Sequence, residues 1–349
     1  MTTTNFQEPR LRQRGRASVN FLTEVARHMG PFTQQVNADI AKAGITPETL
    51  PDDLGERHNH IESALADSNA YAMQLLLGDW HGRRHGEVCT EAYDEIAADV
   101  AESVAAAEHG PASLTLNPDA KWPEYWEGVN FHRTTNGWTG HEMQGVIHGE
   151  IVHKRMVAKL FPGGLFKQRR AVAAMAPRDK YERILEVGTS SGHYTVALEE
   201  TYPDAKITGI DMSAQMLRHA FRVANANGWD WDLHQMAGED TSFADGSFDL
   251  VTSFIILHEM PADAIAKLFA EALRVLEPGG DMVMSDVTRF ADLDKLAAWK
   301  ADRGATYGGE PHWRESAQLD FAQMALDAGF ATARAEGIYP HVLIASKAK

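Results

Sequence analysis

The run Ile184-Leu-Glu-Val-Gly-Thr-Ser-Ser-Gly-His193, followed by Ile207-Thr-Gly-Ile-Asp-Met-Ser213, constrains this chain more than any other part of it. An apolar stretch ends in Glu186, Gly188 and Gly192 frame a tight turn, and an amphipathic stretch runs from Tyr194 to Glu200. A second apolar stretch closes on Asp211. The order is strand, glycine loop, helix, strand, acid, which is the layout of a nucleoside-binding α/β half. Glycine, lacking a Cβ, lets backbone approach a ligand closely. The first turn of the helix has unpaired N–H groups that suit an anionic group. A carboxylate at the end of the second strand can accept hydrogen bonds from two ribose hydroxyls.

Spacing separates two kinds of glycine loop. A dinucleotide-phosphate loop reads G-x-G-x-x-G, whereas three residues stand between Gly188 and Gly192. That spacing resembles the E-x-G-x-G-x-G loop of class I S-adenosylmethionine-dependent methyltransferases. Four later blocks resemble the same family in the same order. Ala237-Gly-Glu-Asp-Thr-Ser-Phe243 is similar to its adenine-side loop, and Asp245-Gly-Ser-Phe-Asp-Leu-Val251 to the entry of its fourth strand. Leu257-His-Glu-Met260 is similar to the segment after that strand, and Leu273-Arg-Val-Leu-Glu-Pro-Gly-Gly280 to the turn into the fifth. The resemblance spans residues 182–349, with Ser190 in place of the middle glycine and Ala237 where an acid often stands. It implies an α/β fold: a Rossmann-like, seven-stranded, mostly parallel sheet with helices on both faces, in the order 3-2-1-4-5-7-6. The last strand pair would be Ala331–Glu336 and His341–Lys347. It implies S-adenosylmethionine as cofactor, held by Glu186, Gly188, Ser190, Gly192, Asp211, Met212, Gly238, Glu239 and Ser253.

The rest of the chain bounds what surrounds this unit. With 349 residues, 44% of them hydrophobic, two domains are expected. A net charge of −16 argues against a nucleic-acid substrate, which requires a basic surface. The lone Cys89 excludes an internal disulfide and fits a reducing compartment. No apolar run approaches membrane-span length and no signal-peptide core precedes the first helix, so a cytoplasmic location is expected. Residues 1–165 form the first expected domain, an all-α cap, and 166–349 the cofactor-binding domain. Apolar residues recur at helical spacing over 19–43, 61–77 and 93–107, while the prolines of 114–126 predict a loop. Thr139 and Glu142 fit a capping box for a helix over 140–160, stopped by Phe161-Pro-Gly-Gly164 and followed by another helix from Lys167 to Ala176.

Ligands of such sheets bind at the carboxyl ends of the strands, and the helical extension is expected to cover that mouth and choose the acceptor. The stretch 122–153 is rich in aromatic and histidine residues. His141 and His148, seven apart, would share a helical face, with Gly145 between them allowing a ligand or backbone close by. Trp138, His141, His148 and Glu259 are the candidate acceptor contacts. No metal is expected, because His141-Glu142 lacks a second histidine four residues on. His258 directly follows the fourth strand, and as a neutral ring it could take a proton from a hydroxyl acceptor. Asp286 and His141 are the other catalytic candidates. The expected activity is methyl transfer to a small aromatic or lipophilic acceptor. O-methylation ranks first, C-methylation of an activated ring or enol second, and a non-methylating binding protein third. The apolar helices at 19–43 and 61–77 also suit pairing of two subunits, so a homodimer is expected.

Overall fold

A strand covered on both faces needs apolar residues at successive positions rather than alternate ones, and Ile184-Leu185, Val187 and Leu250-Val251 supply them. The computed structural model describes residues 9–134, 137–160, 163–337 and 339–349. Its sheet contains β1 (Ser113–Thr115), β2 (Arg183–Val187), β3 (Lys206–Asp211), β4 (Asp232–Gln235), β5 (Phe248–Phe254), β6 (Leu276–Asp286), β7 (Thr332–Glu336) and β8 (His341–Ser346). The strands lie in the order β1-β4-β3-β2-β5-β6-β8-β7. β8 is antiparallel to both of its neighbours and the other pairs are parallel.

Strands β2 to β8 reproduce the expected order, but the sheet has eight strands rather than seven. The extra one, β1, overlaps the stretch read as a loop and pairs with β4, Leu114 opposite Leu233. Three residues are too short a run for an alternating pattern to register. Helices α7 (Leu165–Ala173), α8 (His193–Thr201), α9 (Ala214–Asn227), α10 (Ala262–Val275), α11 (Lys295–Gly308) and α12 (Phe321–Ala328) belong to the second half. Ile184, Val196, Leu217, Trp231 and Leu250 build one core of the sheet. Leu185, Ile210, Leu268, Phe269 and Met282 build the other.

The first half is helical: α1 (Gln13–Arg27), α2 (Gly30–Lys42), α3 (Leu54–Ala64), α4 (Asn69–Asp94) and α5 (Ala97–Ala106). The windows expected over 19–43 and 61–77 each split in two. Pro31 starts α2, and Ser68 starts α4 by accepting a hydrogen bond from the Tyr71 amide at 3.2 Å. The helix expected over 140–160 is also different. A single α turn, Gln144–Val146, leads into α6 (Ile147–Val157), which is a π-helix. Thr139 ends a separate 3₁₀ turn, and Met143 precedes the helix with no side-chain cap, so the capping box does not form. Phe161 and Pro162 of the expected stop lie outside the described residues.

Two contacts tie the halves together. A Cβ on Gly145 would stand 2.4 Å from the Gln215 carbonyl oxygen, so the close neighbour anticipated for Gly145 is the backbone of α9. Trp299 of α11, 2% exposed, packs among Val36, Ile40, Ile61, Leu65 and Tyr71 of the first half.

Candidate active site

Connections after β2, β3, β4 and β5, at the carboxyl edge of the sheet, build the site. After β2 the chain turns through Gly188 at φ +75°. A Cβ there would lie 2.7 Å from Ile256 Cδ1, so a side chain would fill the space. Ser190 has φ +50°, a left-handed angle that a non-glycine residue holds only under strain. This conformation aims its amide at the next strand: Ser190 N donates to Asp211 Oδ2 at 2.8 Å, and Ser213 N donates to Oδ1 at 2.8 Å. Burial pushes the Asp211 carboxyl up to about 6, against the pull of those amides. Each carboxylate oxygen keeps a lone pair for a further donor, and Asp211 lines both adjoining cavities.

Beneath the loop, Glu186 is 1% exposed. Its Oε2 accepts from the Thr195 hydroxyl at 2.6 Å, while Oε1 is buried with no hydrogen-bond partner among the described residues. Burial pushes this carboxyl up to about 8. A buried acceptor without a donor is costly, and a cationic ligand group would relieve it.

A cavity of about 280 Å³ joins Gly188, Ser190 and Asp211 to Arg169 of α7, His148 of α6 and His258. Next to it a narrow cavity of about 30 Å³ is lined by Val187, Met212, Met236, Gly238 and Glu239. Tyr125 and Trp126 cover this slot. The Tyr125 hydroxyl donates to the Glu239 carboxylate, and Trp126 Nε1 donates to the Glu259 carbonyl at 2.9 Å. A third cavity, about 410 Å³, lies beyond the shared wall of His148 and His153. Ile147, Met156, Leu160 and Trp313 give it an apolar lining, and His81 and His85 face it from α4.

His148 and His153 on this wall, and His193 behind them, are held neutral by burial. Trp138, His148, His153 and His193 meet edge to face in a row, with ring centroids 4.9, 4.2 and 5.0 Å apart. Burial lowers His148 to about 3 and holds His153 and His193 well below the usual imidazole range. His258 is the opposite case. Burial disfavours its charge, but Asp286, Glu259 and Glu310 outweigh burial and push it up to about 9. Its Nδ1 lies 3.0 Å from Asp286 Oδ1. The ring therefore keeps its proton at neutral pH, which corrects the expectation of a neutral base at this position.

Gly188, Ser190, Asp211, Trp138, His148, His258, Glu259, Met212, Gly238 and Glu239 thus line or adjoin the cavities. Asp286 stands behind His258 rather than at the wall. Three candidates fall elsewhere. His141 precedes α6 instead of sharing a face with His148; its Nδ1 accepts from the Met143 amide and its ring packs on Tyr93. Ser253 is fully buried and donates to Met284 Sδ at 2.9 Å. Gly192 serves packing, since a Cβ would meet Trp231 and Ala220 at 3.2 and 3.3 Å. Sequence reasoning missed Arg169 and Glu310, and named His132 only as one of the aromatic and histidine residues of 122–153. Arg169, set 4.6 Å over the Phe254 ring, belongs to a helix with no motif, and Glu310 lies in a loop brought in only by the fold.

Comparison with known proteins agrees with this geometry. Residues 184–280 match the family model described as a methyltransferase domain. A ubiquinone/menaquinone biosynthesis C-methyltransferase of Desulfotalea psychrophila is 33% identical over 120 residues, 34% of this chain and 47% of the relative. A malonyl-[acyl-carrier protein] O-methyltransferase of Legionella pneumophila is 29% identical over 152 residues, 43% of this chain and 48% of the relative. An arsenite methyltransferase of Aquipseudomonas alcaligenes is 30% identical over 170 residues, 44% of this chain and 45% of the relative. The chain spans about half the length of the curated relatives it matches. With the glycine loop, the acid after β3 and the strand order, these matches mark residues 184–280 as similar to a methyltransferase domain.

Proposed function

We propose that this chain transfers a methyl group from S-adenosylmethionine to a small aromatic or lipophilic acceptor, with a hydroxyl oxygen as the first choice of target. The observation that carries the reading is the adjacency of the three cavities, the first two at the carboxyl edge of the sheet and the third sharing His132, His148 and His153 with the first. The residues fit the cofactor's chemistry. Asp211 would hold the ribose hydroxyls, and Glu186, with its unpartnered Oε1, suits a cationic group. The slot under Tyr125 and Trp126 has the apolar walls an adenine ring needs, and opening it requires those two side chains to move. When bound, the cofactor supplies an electrophilic methyl group. The protein's part is positioning and exclusion of water. Trp126 and Trp138, both hydrogen-bonded to Glu259, close the mouth, while the neutral His148 and His153 separate cofactor from acceptor chamber.

In this reading residues 1–165 act as the acceptor-choosing cap over 166–349. C-methylation of an enol or activated ring is the second reading, favoured by the likeness to a C-methyltransferase. Pairing of two copies through α1 and α4, where Phe21 and Leu76 are each 60% exposed, belongs to the same proposal and is read by light scattering. The test is incubation with methyl-labelled S-adenosylmethionine and a panel of phenols, enols and carboxylic acids. Labelled product on oxygen supports the reading. Tight cofactor binding with no labelled product from any of these classes would reject it.

A further inference from the structure

We propose that His258, Glu259 and Glu310 bind a divalent transition-metal cation between the cofactor cavity and the acceptor chamber. The nitrogen and oxygen atoms of the first three lie within 4.8 Å of one another, and all three residues are buried. His132 bridges the two glutamates: its Nδ1 contacts Glu310 Oε1 and its Nε2 lies 3.7 Å from Glu259 Oε1. Ligands on opposite sides of a transition ion stand about 4.2 Å apart, twice a bond of roughly 2.1 Å. Side-chain rotations of less than about an ångström would therefore bring these atoms to coordination distance.

Two further observations single this cluster out. Glu310 Oε2 is buried with no hydrogen-bond partner among the described residues, and it faces His258 Nε2 at 3.9 Å. His258 is oriented as metal-binding histidines are, with the other ring nitrogen tied to a carboxylate. Its Nδ1 is bonded to Asp286, which is itself fixed by the Leu257 and Val287 amides at 2.6 and 2.7 Å. Three carboxylates, Asp286, Glu259 and Glu310, thus surround the buried imidazole of His258, and a cation bound there would take the place of its Nε2 proton. The backbone is shaped to assemble it. Gly309 turns at φ +82°, and a Cβ there would lie 2.8 Å from Arg133 Cγ, so only glycine lets the Glu310 loop approach His132.

One imidazole and two carboxylates are a borderline donor set. It suits Zn²⁺, Fe²⁺ or Co²⁺ and is a poor match for Mg²⁺, which prefers oxygen and water. His258 and Glu259 line the cofactor-side cavity, Glu310 lines the acceptor chamber, and His132 lines both. A cation held among them would face either compartment.

The test uses the full chain after chelator treatment, titrated with Co²⁺ and followed by its visible absorption. The expected result is one equivalent bound with a micromolar or tighter Kd, displaced by Zn²⁺ but not by Mg²⁺. Glu310→Gln should weaken binding by about 100-fold, and Asp286→Asn, which only orients His258, by about 10- to 100-fold. The double variant His81→Gln/His85→Gln, which removes a neighbouring histidine pair, should leave it unchanged. Zn²⁺ should also raise the thermal midpoint of the parent, a readout that needs no variant to fold. Absence of a tight equivalent, no midpoint shift in the parent, retention of the equivalent in Glu310→Gln, or its loss in the His81/His85 variant would each overturn the proposal. None of these readouts depends on methyl transfer.

Discussion

Ser190 shows how far one residue shapes this site. Its left-handed angle is what turns its amide onto Asp211, and a Cβ there makes the angle costly. Ser190→Gly removes the strain and should raise stability by about 1 kcal/mol without weakening cofactor binding, as read by thermal unfolding and calorimetry. Asp211→Ala deletes the acceptor itself. Cofactor affinity should fall by about 1–3 kcal/mol in a folded variant, and an unchanged affinity would remove Asp211 from the ribose site. Glu186 supplies a pH dependence. Its carboxyl is raised to about 8, so the folded protein holds a proton that the unfolded chain has already lost. This group's contribution to stability therefore declines as pH rises from about 4.5 towards about 8. A cationic ligand favours the ionised form, so cofactor affinity should rise with pH through that upper limit, by less than about tenfold per unit. The rise between pH values of about 7 and about 8.5, above the Asp211 titration, should vanish in Glu186→Gln. Equal slopes in parent and variant would place the cofactor's charge elsewhere.

Among the elements, α6 does the most to separate the compartments. A π-helix is rare and costs hydrogen-bond quality; here it carries His148 and His153 on the wall between two cavities. Glu150 anchors it to α9 through His219 Nε2 at 3.1 Å and pairs within α6 with Lys154 Nζ at 2.8 Å, and Gly145 lets its leading turn touch α9. Gly145→Val would drive a side chain into the Gln215 carbonyl. The expected result is a loss of about 1–3 kcal/mol in chemical denaturation together with a larger fall in acceptor than in cofactor affinity. A variant as stable as the parent would show that α6 can move away from α9.

At the scale of the molecule, the two halves complete each other's cores. Trp299 leaves the second half to fill the interior built by α2, α3 and α4, and β1 leaves the first half to extend the sheet. Deleting residues 1–110 should therefore expose Trp299 and strip the cover from α9, giving an insoluble or inactive remainder with at best weak cofactor binding. A soluble, fully active truncated chain would show that residues 1–110 are dispensable.

What could be read directly from the chain was local. A turn that brackets Gly188 and Gly192, an acid closing an apolar run at Asp211, and strands of consecutive apolar residues are written within short windows, because backbone sterics and burial act over a few residues. The order of strands β2 to β8 and the cofactor class came from the family resemblance that these windows carry. The windows failed where neighbours in space overrode neighbours in sequence. Three residues became β1 because Leu233 lay alongside, and the segment after Thr139 lost its cap and became a π-helix because α9 and Glu150's partners held it. His141 and His148 parted company for that reason. Of the three carboxylates around His258 only Glu259 stands beside it in sequence; Glu310 reaches it from 52 residues away, and Asp286 from the next strand. Whether an imidazole is a base, a charged group or a metal ligand depends on the charges within a few ångströms, and only the tertiary structure brought those charges together.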